Sequence, residues 1–152
     1  LNLIVARPSE NERNILETGE LDINEGLKGD AWLVDGEPDI DAQITIINSR
    51  TIALLAQDEN RWKLAGDQLF VDFDLSVENL PHGTKLSIGA AILETTALPH
   101  TGCKKFVERF GLDAMKFVNS PIGKQLHLRG IYAKVIQSGT INKGDFIRKI
   151  DA

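Results

Sequence analysis

The sequence predicts a mainly β protein in which short strands and a few short helices form a closed or nearly closed β-barrel. Apolar and polar residues alternate through 69–76, which is typical of a strand with one face in water. Gly-Asp pairs at 29–30, 66–67 and 144–145 indicate turns between strands. With 152 residues the chain is long enough for one core, and we predict a single domain over 1–152.

The predicted strands are short apolar or alternating runs that end at turn residues. Arg129 shares its parity with the apolar positions of the last long strand, and residues 20–41 are acidic, contain several glycines and read mostly as loop. In chain order the predicted strands are 43–48, 69–76, 85–88, 91–96, 128–137 and 145–150.

Four short helices are predicted from capping residues and apolar spacing. The Ser9/Glu12 pair has capping-box spacing, which predicts a helix near 10–18. Ser49 is expected to cap a second helix, and Thr101 a third that Gly111 ends. The fourth begins at Asp113 and is stopped by the Ser-Pro pair at 120–121.

Composition points to a soluble protein of the cytoplasm. Hydrophobic residues make up 42% of the chain, and no apolar run approaches the roughly 18 residues that span a bilayer. The opening apolar run is interrupted by Arg7 and Pro8, so we expect neither a signal peptide nor a membrane association. The single cysteine cannot form an internal disulfide, which is consistent with a reducing compartment.

Charge is distributed unevenly along the chain. Residues 1–99 carry 7 basic and 18 acidic side chains, whereas residues 100–152 carry 10 basic and 4 acidic ones. A local positive field in an acidic protein favours a small anionic ligand over nucleic acid, since aromatic residues make up only 6% of the chain. The alternative is that the basic surplus is a solvated face.

The only cysteine, Cys103, follows His100, Thr101 and Gly102 at a predicted helix start and precedes Lys104 and Lys105. Backbone N–H groups and nearby cations favour the thiolate, which is the nucleophilic and metal-binding form. His100 is close enough in sequence to form a Cys–His pair. The alternative is a small buried hydrophobic residue.

Arg129 is the one cation predicted to lie on an inward strand face. A guanidinium there needs an anion or a place at the barrel mouth, which makes it a candidate ligand anchor. If Gly130 breaks the strand parity, Arg129 instead lies in solvent. The three histidines, His82, His100 and His127, lack metal-site spacing. The sequence also contains no phosphate-binding glycine loop.

Five segments resemble the MOSC domain, named after the C-terminal part of molybdenum-cofactor sulfurases, over roughly residues 26–147. They are GLKGDAW (26–32), QITIINS (43–49), AGDQLFVDFDLSVENLPHGTKLSIG (65–89), HTGCKKF…RFG (100–111) and LRGIYAKVIQSGTINKGD (128–145). The chain is most similar to short stand-alone members. It departs from the family in having Gly102 where many members have proline, which would loosen the backbone beside Cys103.

The resemblance implies a barrel-like fold and a pterin-type molybdenum cofactor. Under it, Cys103, His100 and Lys104 are the expected catalytic residues, and the expected cofactor-binding residues are Arg129, Thr101, Gly102, Lys105 and Arg109. No pyridoxal phosphate is expected in this chain, so a separate sulfur donor such as a cysteine desulfurase is implied. A molybdoenzyme or the cofactor itself would be the acceptor.

Three functions follow from the resemblance and stay open on sequence alone. The first is a sulfur carrier or sulfurtransferase that uses a Cys103 persulfide. The second is a molybdenum-dependent oxidoreductase component in which Cys103 ligates the metal. The third is a binding module without catalysis.

Overall fold

A computed structural model describes residues 1–33 and 38–150 of the chain. The described part contains eleven strands and four α-helices, joined by turns and short 3₁₀ segments. The strands are β1 Leu3–Ala6, β2 Asn14–Leu16, β3 Thr18–Asp22, β4 Gly26–Leu27, β5 Ile44–Asn48, β6 Leu69–Val71, β7 Lys85–Ile88, β8 Ala91–Thr95, β9 Ile131–Gln137, β10 Gly139–Asn142 and β11 Ile147–Ile150. The helices are α1 Ser49–Ala56, α2 Lys104–Phe110, α3 Leu112–Val118 and α4 Pro121–Gln125.

Eight strands form one sheet in the order β11-β7-β8-β9-β5-β6-β1-β2. All of its neighbours are antiparallel except β5 and β6, which run parallel. α1 and a 3₁₀ segment, Glu59–Ala65, connect those two strands. The remaining strands form a second sheet in the order β10-β3-β4. The prediction of a mainly β fold is therefore confirmed.

The prediction of a closed or nearly closed barrel is confirmed only in part, because the described strands form a curled sheet that does not close. β2 and β11 are the two edges of the large sheet, and neither pairs with the other. Backbone hydrogen bonds from Gly144 N to Leu1 O and from Lys143 N to Glu17 O, with the second sheet, bridge the opening. Each central strand of the curled sheet has a hydrogen-bonded neighbour on both sides. Loops and the paired strands β3 and β10 cover the gap that a barrel would close.

Both faces of the sheet are covered where β1, β5 and β6 meet. Ile4, Ile46 and Leu69 belong to the main core, whereas Val5 and Phe70, on the opposite face, belong to a second cluster with α1. Phe70 is fully buried against this cluster, although the alternating pattern of residues 69–76 predicted a wet face there. The strand also ends at Val71, because it pairs only with the short β1 and with β5.

The predicted helix near residues 10–18 is wrong. Ser9 and Glu12 do contact each other, since the Ser9 hydroxyl donates to the Glu12 carboxylate at 3.0 Å. This contact closes only a turn, because the following residues form β2 and pair with β1, Leu16 opposite Ile4. Backbone pairing with β1, together with contact of Leu16 with the main core, outweighs a local capping preference. β3 and β4 likewise replace part of the loop predicted over 20–41, of which 34–37 lie outside the described residues.

The helices after residue 100 differ from the prediction at their ends. Cys103, rather than Thr101, is the N-cap residue of α2. α3 ends at Val118, before Ser120 and Pro121, as predicted. The same pair also starts α4, because the Ser120 hydroxyl accepts a hydrogen bond from Gly123 N. None of the described helices is long and apolar enough to cross a membrane.

Candidate functional site

A groove of about 610 Å³ runs between the segment after β1 and the start of α2. We call it the arginine groove, because four guanidinium groups line it: Arg7, Arg13, Arg109 and Arg129. Cys103 and Lys105 from α2 line the same groove, together with His100 and Thr101. The fold therefore brings cations from both ends of the chain to one cysteine.

Cys103 is exposed at the groove and has an extended backbone, with φ of −124°. Partial burial acts to raise the pKa of the thiol, but backbone N–H groups of Phe106 and Lys105 oppose this effect. The positive charges of Arg129 and Arg109 act in the same direction, and the pKa of Cys103 lies below its ordinary value. The sulfur is therefore exposed, and its surroundings favour the thiolate, which is the nucleophilic form.

Arg129 is buried beneath the groove, with only 7% of its surface exposed. Its Nη1 lies 2.6 Å from Oδ2 of the fully buried Asp67, and its Nη2 donates to Ala65 O at 2.9 Å. Its guanidinium also lies over the Phe106 ring, 5.1 Å from the centroid. Arg129 precedes β9 rather than lying on it, and its anion is an internal carboxylate.

His100 stacks on Tyr132 at a centroid distance of 4.4 Å. Burial, together with the charges of Arg129 and Arg7, outweighs the nearby Asp67 carboxylate and lowers the pKa of His100 to about 4. The imidazole is therefore neutral at pH 7. Its Nδ1 lies 3.8 Å from Asp67 Oδ1, and both atoms are buried without a hydrogen-bond partner in the described part of the chain.

Arg7 is held in a bidentate ion pair with Asp30, with both N–O distances at 2.9 Å. It also donates to Gly66 O at 2.9 Å. Arg109 donates to Leu64 O at 3.2 Å, and a Cβ placed on Gly66 would meet its Nη1 at 3.5 Å. Gly66 has a φ of 86°, and its lack of a side chain leaves the floor of the groove open between these guanidinium groups.

Arg13 completes the cationic wall. Its guanidinium donates to backbone carbonyls, including Lys63 O at 3.2 Å and Glu10 O at 3.0 Å. Burial and the neighbouring Arg109 and Arg7 charges lower the pKa of Arg13. The arginines are thus close enough to repel one another, and an anion bound between them would relieve that repulsion.

Two of the eight residues proposed from sequence lie away from the groove surface. Lys104 is exposed on α2 and does not line the groove, whereas Lys105 does and forms an ion pair with Glu10 at its rim. Gly102 lies behind Cys103, where its N–H donates to Asn119 Oδ1 at 2.9 Å. Asn119 Nδ2 donates back to Gly102 O at 3.3 Å. The backbone beside Cys103 is therefore held in place rather than loosened.

The MOSC domain family model matches residues 36–148, well over half of the chain. The chain belongs to the MOSC domain family. MOSC domains are associated with the molybdenum cofactor, and membership supports a binding module related to that cofactor. No curated protein sequence matches this MOSC chain.

Solved structures share the fold of this MOSC protein at low sequence identity. YiiM from Escherichia coli has a TM-score of 0.66 and 16% identity, and the match covers 99% of this chain and 69% of that one. YuaD from Bacillus subtilis has a TM-score of 0.64 and 16% identity, with 96% and 92% covered. A crystal structure described as a hypothetical protein gives a TM-score of 0.68 and 18% identity, and this chain spans 66% of its length.

The residues of the groove fit a pterin-type molybdenum cofactor. Arginine forks suit phosphate oxygens, and a thiolate is a soft ligand for a metal. Buried atoms without partners, Asp67 Oδ1 and Arg129 Nε, lie under the groove. The described residues contain no cluster of three His, Cys, Asp or Glu that would hold a metal alone, so Cys103 would be the protein's contribution to such a site.

Sequence reasoning missed Arg7, Arg13, Asp67 and Tyr132 as site residues. Asp67 belongs to a Gly-Asp pair that was interpreted only as a turn signal. Arg7 and Arg13 lie in the acidic part of the sequence, so local charge gave no indication of a basic surface. No local pattern in the sequence singled out Tyr132.

Proposed function

We propose that this MOSC protein binds a pterin-type molybdenum cofactor, or a related anionic acceptor, in the arginine groove and carries sulfur as a persulfide on Cys103. One observation carries the proposal: an exposed cysteine with a lowered thiol pKa shares a groove with four arginines. The molybdenum cofactor would supply metal-centred chemistry when bound. The reducing environment that a free thiol needs fits a cytoplasmic protein.

The arginines of the groove have different roles in this proposal. Arg13 and Arg109 have guanidinium nitrogens without protein partners in the described part of the chain, so they would hold the anionic group. Arg129 is already paired with Asp67 and instead adds positive charge beneath Cys103. A persulfide anion there would be stabilised by the same N–H groups and charges that stabilise the thiolate.

Sulfur loading needs only a persulfide on a donor protein, such as a cysteine desulfurase. The Cys103 thiolate attacks the donor's outer sulfur, a new S–S bond forms at Cys103, and the donor's S–S bond breaks. The donor cysteine leaves as a thiolate and takes up a proton from solvent. Sulfane sulfur moves without net oxidation, so no oxidant is required.

His100 has a different role in this proposal from the general base expected from sequence. With a pKa of about 4 it is a weak proton acceptor at neutral pH. Its stacking on Tyr132 and its burial make it a wall of the groove. The thiolate is instead favoured by backbone N–H groups and the two arginines.

Measurement of cyanide-labile sulfur tests whether Cys103 carries a persulfide. Wild-type protein, Cys103→Ala and Lys104→Gln are incubated under anaerobic conditions with a cysteine desulfurase and cysteine, and sulfur released by cyanide is measured. We expect about one labile sulfur per wild-type chain, the same for Lys104→Gln, and background for Cys103→Ala. Equal labile sulfur on wild type and Cys103→Ala would rule the carrier out.

The second candidate is a molybdenum oxidoreductase component with Cys103 as a metal ligand, supported by the same exposed thiolate. Molybdenum and pterin are measured on protein co-expressed with cofactor biosynthesis. Loss of both in Arg109→Gln, with retention in Arg148→Gln on β11, supports binding in the groove. Loss of the metal in Cys103→Ser, together with absence of labile sulfur on wild type, would favour the ligand over the carrier. If wild type carries neither molybdenum nor labile sulfur, the remaining function is a binding module without catalysis.

A further inference from the structure

A second cavity of about 370 Å³ lies beside the arginine groove. His100, Thr101 and Arg129 line both cavities and form their common wall, but Cys103 lines only the groove. The second cavity extends toward β8 and α4, so a ligand there would contact residues that the proposed sulfur chemistry does not use. Its volume is in the lower part of the range for small-molecule sites.

The walls of this cavity differ in character from its rim. Leu80, Val118 and Ile131 line the interior and are each no more than 6% exposed. Lys124 and His82 are exposed at the rim, where His127 is half-buried. No acidic side chain lines the cavity among the described residues. The combination is an apolar chamber with a cationic entrance.

Lys124 at the rim is available to a ligand. Lys124, on α4, forms no ion pair with any described residue. His127 has a left-handed backbone with φ of 50°, and its Nδ1 lies 2.6 Å from Leu75 O. Because a carbonyl only accepts, Nδ1 carries the proton and the ring is held in one orientation.

We propose that this cavity binds small monocarboxylates that have an apolar body. The carboxylate lies at the rim against Lys124, and the hydrocarbon part lies against Leu80, Val118 and Ile131. An apolar chamber alone would accept a neutral or cationic ligand equally well. The unpaired lysine and the absence of acidic lining residues select the anion. This proposal is independent of the sulfur chemistry at Cys103.

Binding of hexanoate, measured by calorimetry and by amide shifts in NMR spectra, tests the proposal. Hexan-1-ol and hexylamine serve as neutral and cationic probes of the same size. We expect hexanoate to bind and to shift the amides of Gly123 and Gly130, with hexan-1-ol about tenfold weaker and hexylamine undetectable. Equal binding of hexanoate and hexylamine would overturn the proposal.

Variants at exposed positions locate the site without threatening the fold. Ala97→Trp fills the entrance and is expected to abolish hexanoate binding, and Lys124→Met is expected to weaken it about tenfold. Lys116→Met on α3 removes an exposed lysine that does not line the cavity, and should leave binding unchanged. Cys103→Ala should also bind normally, which separates this result from failure of the carrier proposal. Unchanged binding in Ala97→Trp would show that hexanoate binds elsewhere.

Discussion

At the residue scale, the reactivity of Cys103 depends on the start of α2 and on the charges of two arginines. Arg129 and Arg109 lower its pKa together with local backbone N–H groups. Of the two lysines that follow Cys103 in sequence, Lys104 is exposed and Lys105 is paired with Glu10. The start of its own helix therefore favours the thiolate first, and the arginine charges add to that effect.

The first prediction concerns the thiol pKa of Cys103. The rate of alkylation by iodoacetamide, measured against pH, should reach half its maximum below the value of about 8.5 for a free cysteine. Arg109→Gln should move that midpoint upward because it removes one of the stabilising charges. Lys104→Gln is the control and should move it less than Arg109→Gln does. A wild-type midpoint at the free value would contradict the prediction.

The second prediction concerns the buried pair of Asp67 and Arg129. Asp67→Asn leaves Arg129 buried without its countercharge and should lower the free energy of unfolding by about 3–5 kcal/mol in urea titrations. Asp72→Asn breaks an exposed pair with Arg50 and should cost no more than about 1 kcal/mol. Similar losses in the two variants would show that the buried pair is not a structural requirement.

At the scale of elements, Gly130 sets the position of Arg129 relative to β9. Its φ is 114°, so the chain changes direction immediately before Ile131, where the strand begins. The strand predicted over 128–137 therefore begins only at Ile131, and Arg129 lies before it. The side chain is nevertheless buried, since the redirected backbone places it against Asp67 instead of in solvent.

The third prediction tests that backbone position. Gly130→Ala would place a Cβ 2.5 Å from Ile46 O and force a left-handed conformation, so the free energy of unfolding should fall by more than about 2 kcal/mol. Gly144→Ala shares the positive φ, at 95°, but meets no atom within 4 Å. It should cost only about 1 kcal/mol. Equal costs would show that the steric contact with β5 is not decisive.

At the scale of the whole molecule, His100 links stability to pH. Its folded pKa, about 4, lies below the value near 6.5 expected in the unfolded chain. The unfolded state therefore binds more protons between these values, and stability falls as the pH drops from about 6.5 to about 4. Above 6.5 the group has no effect on the pH dependence.

The fourth prediction follows from this linkage. The free energy of unfolding of wild type should fall by roughly 3 kcal/mol more than that of His100→Gln between pH 7 and pH 4. Urea titrations at fixed ionic strength measure the difference. His82→Gln, at an exposed position, should follow wild type. Parallel curves for wild type and His100→Gln would contradict a neutral buried imidazole.

Much of the strand pattern could be predicted because each strand carries its own signal. β7 was predicted at its observed bounds, and β5 and β8 within one residue, since short apolar runs between turns report local burial. β2 and β3 were missed, because their polar residues are extended only through pairing with β1 and β10. Strand pairing is a long-range property that a local window does not contain.

The sequence by itself determined the mainly β class and the family resemblance, and it singled out Cys103 as a candidate, since these depend on residue type, local period and motif order. Only the tertiary structure decided that the sheet stays open, that Arg7 and Arg13 join the groove, and that Arg129 pairs with Asp67. Asp67 and Arg129 are 62 residues apart. Contacts of that kind form only when strands from distant parts of the chain pair, so no local pattern of charge or hydrophobicity encodes them.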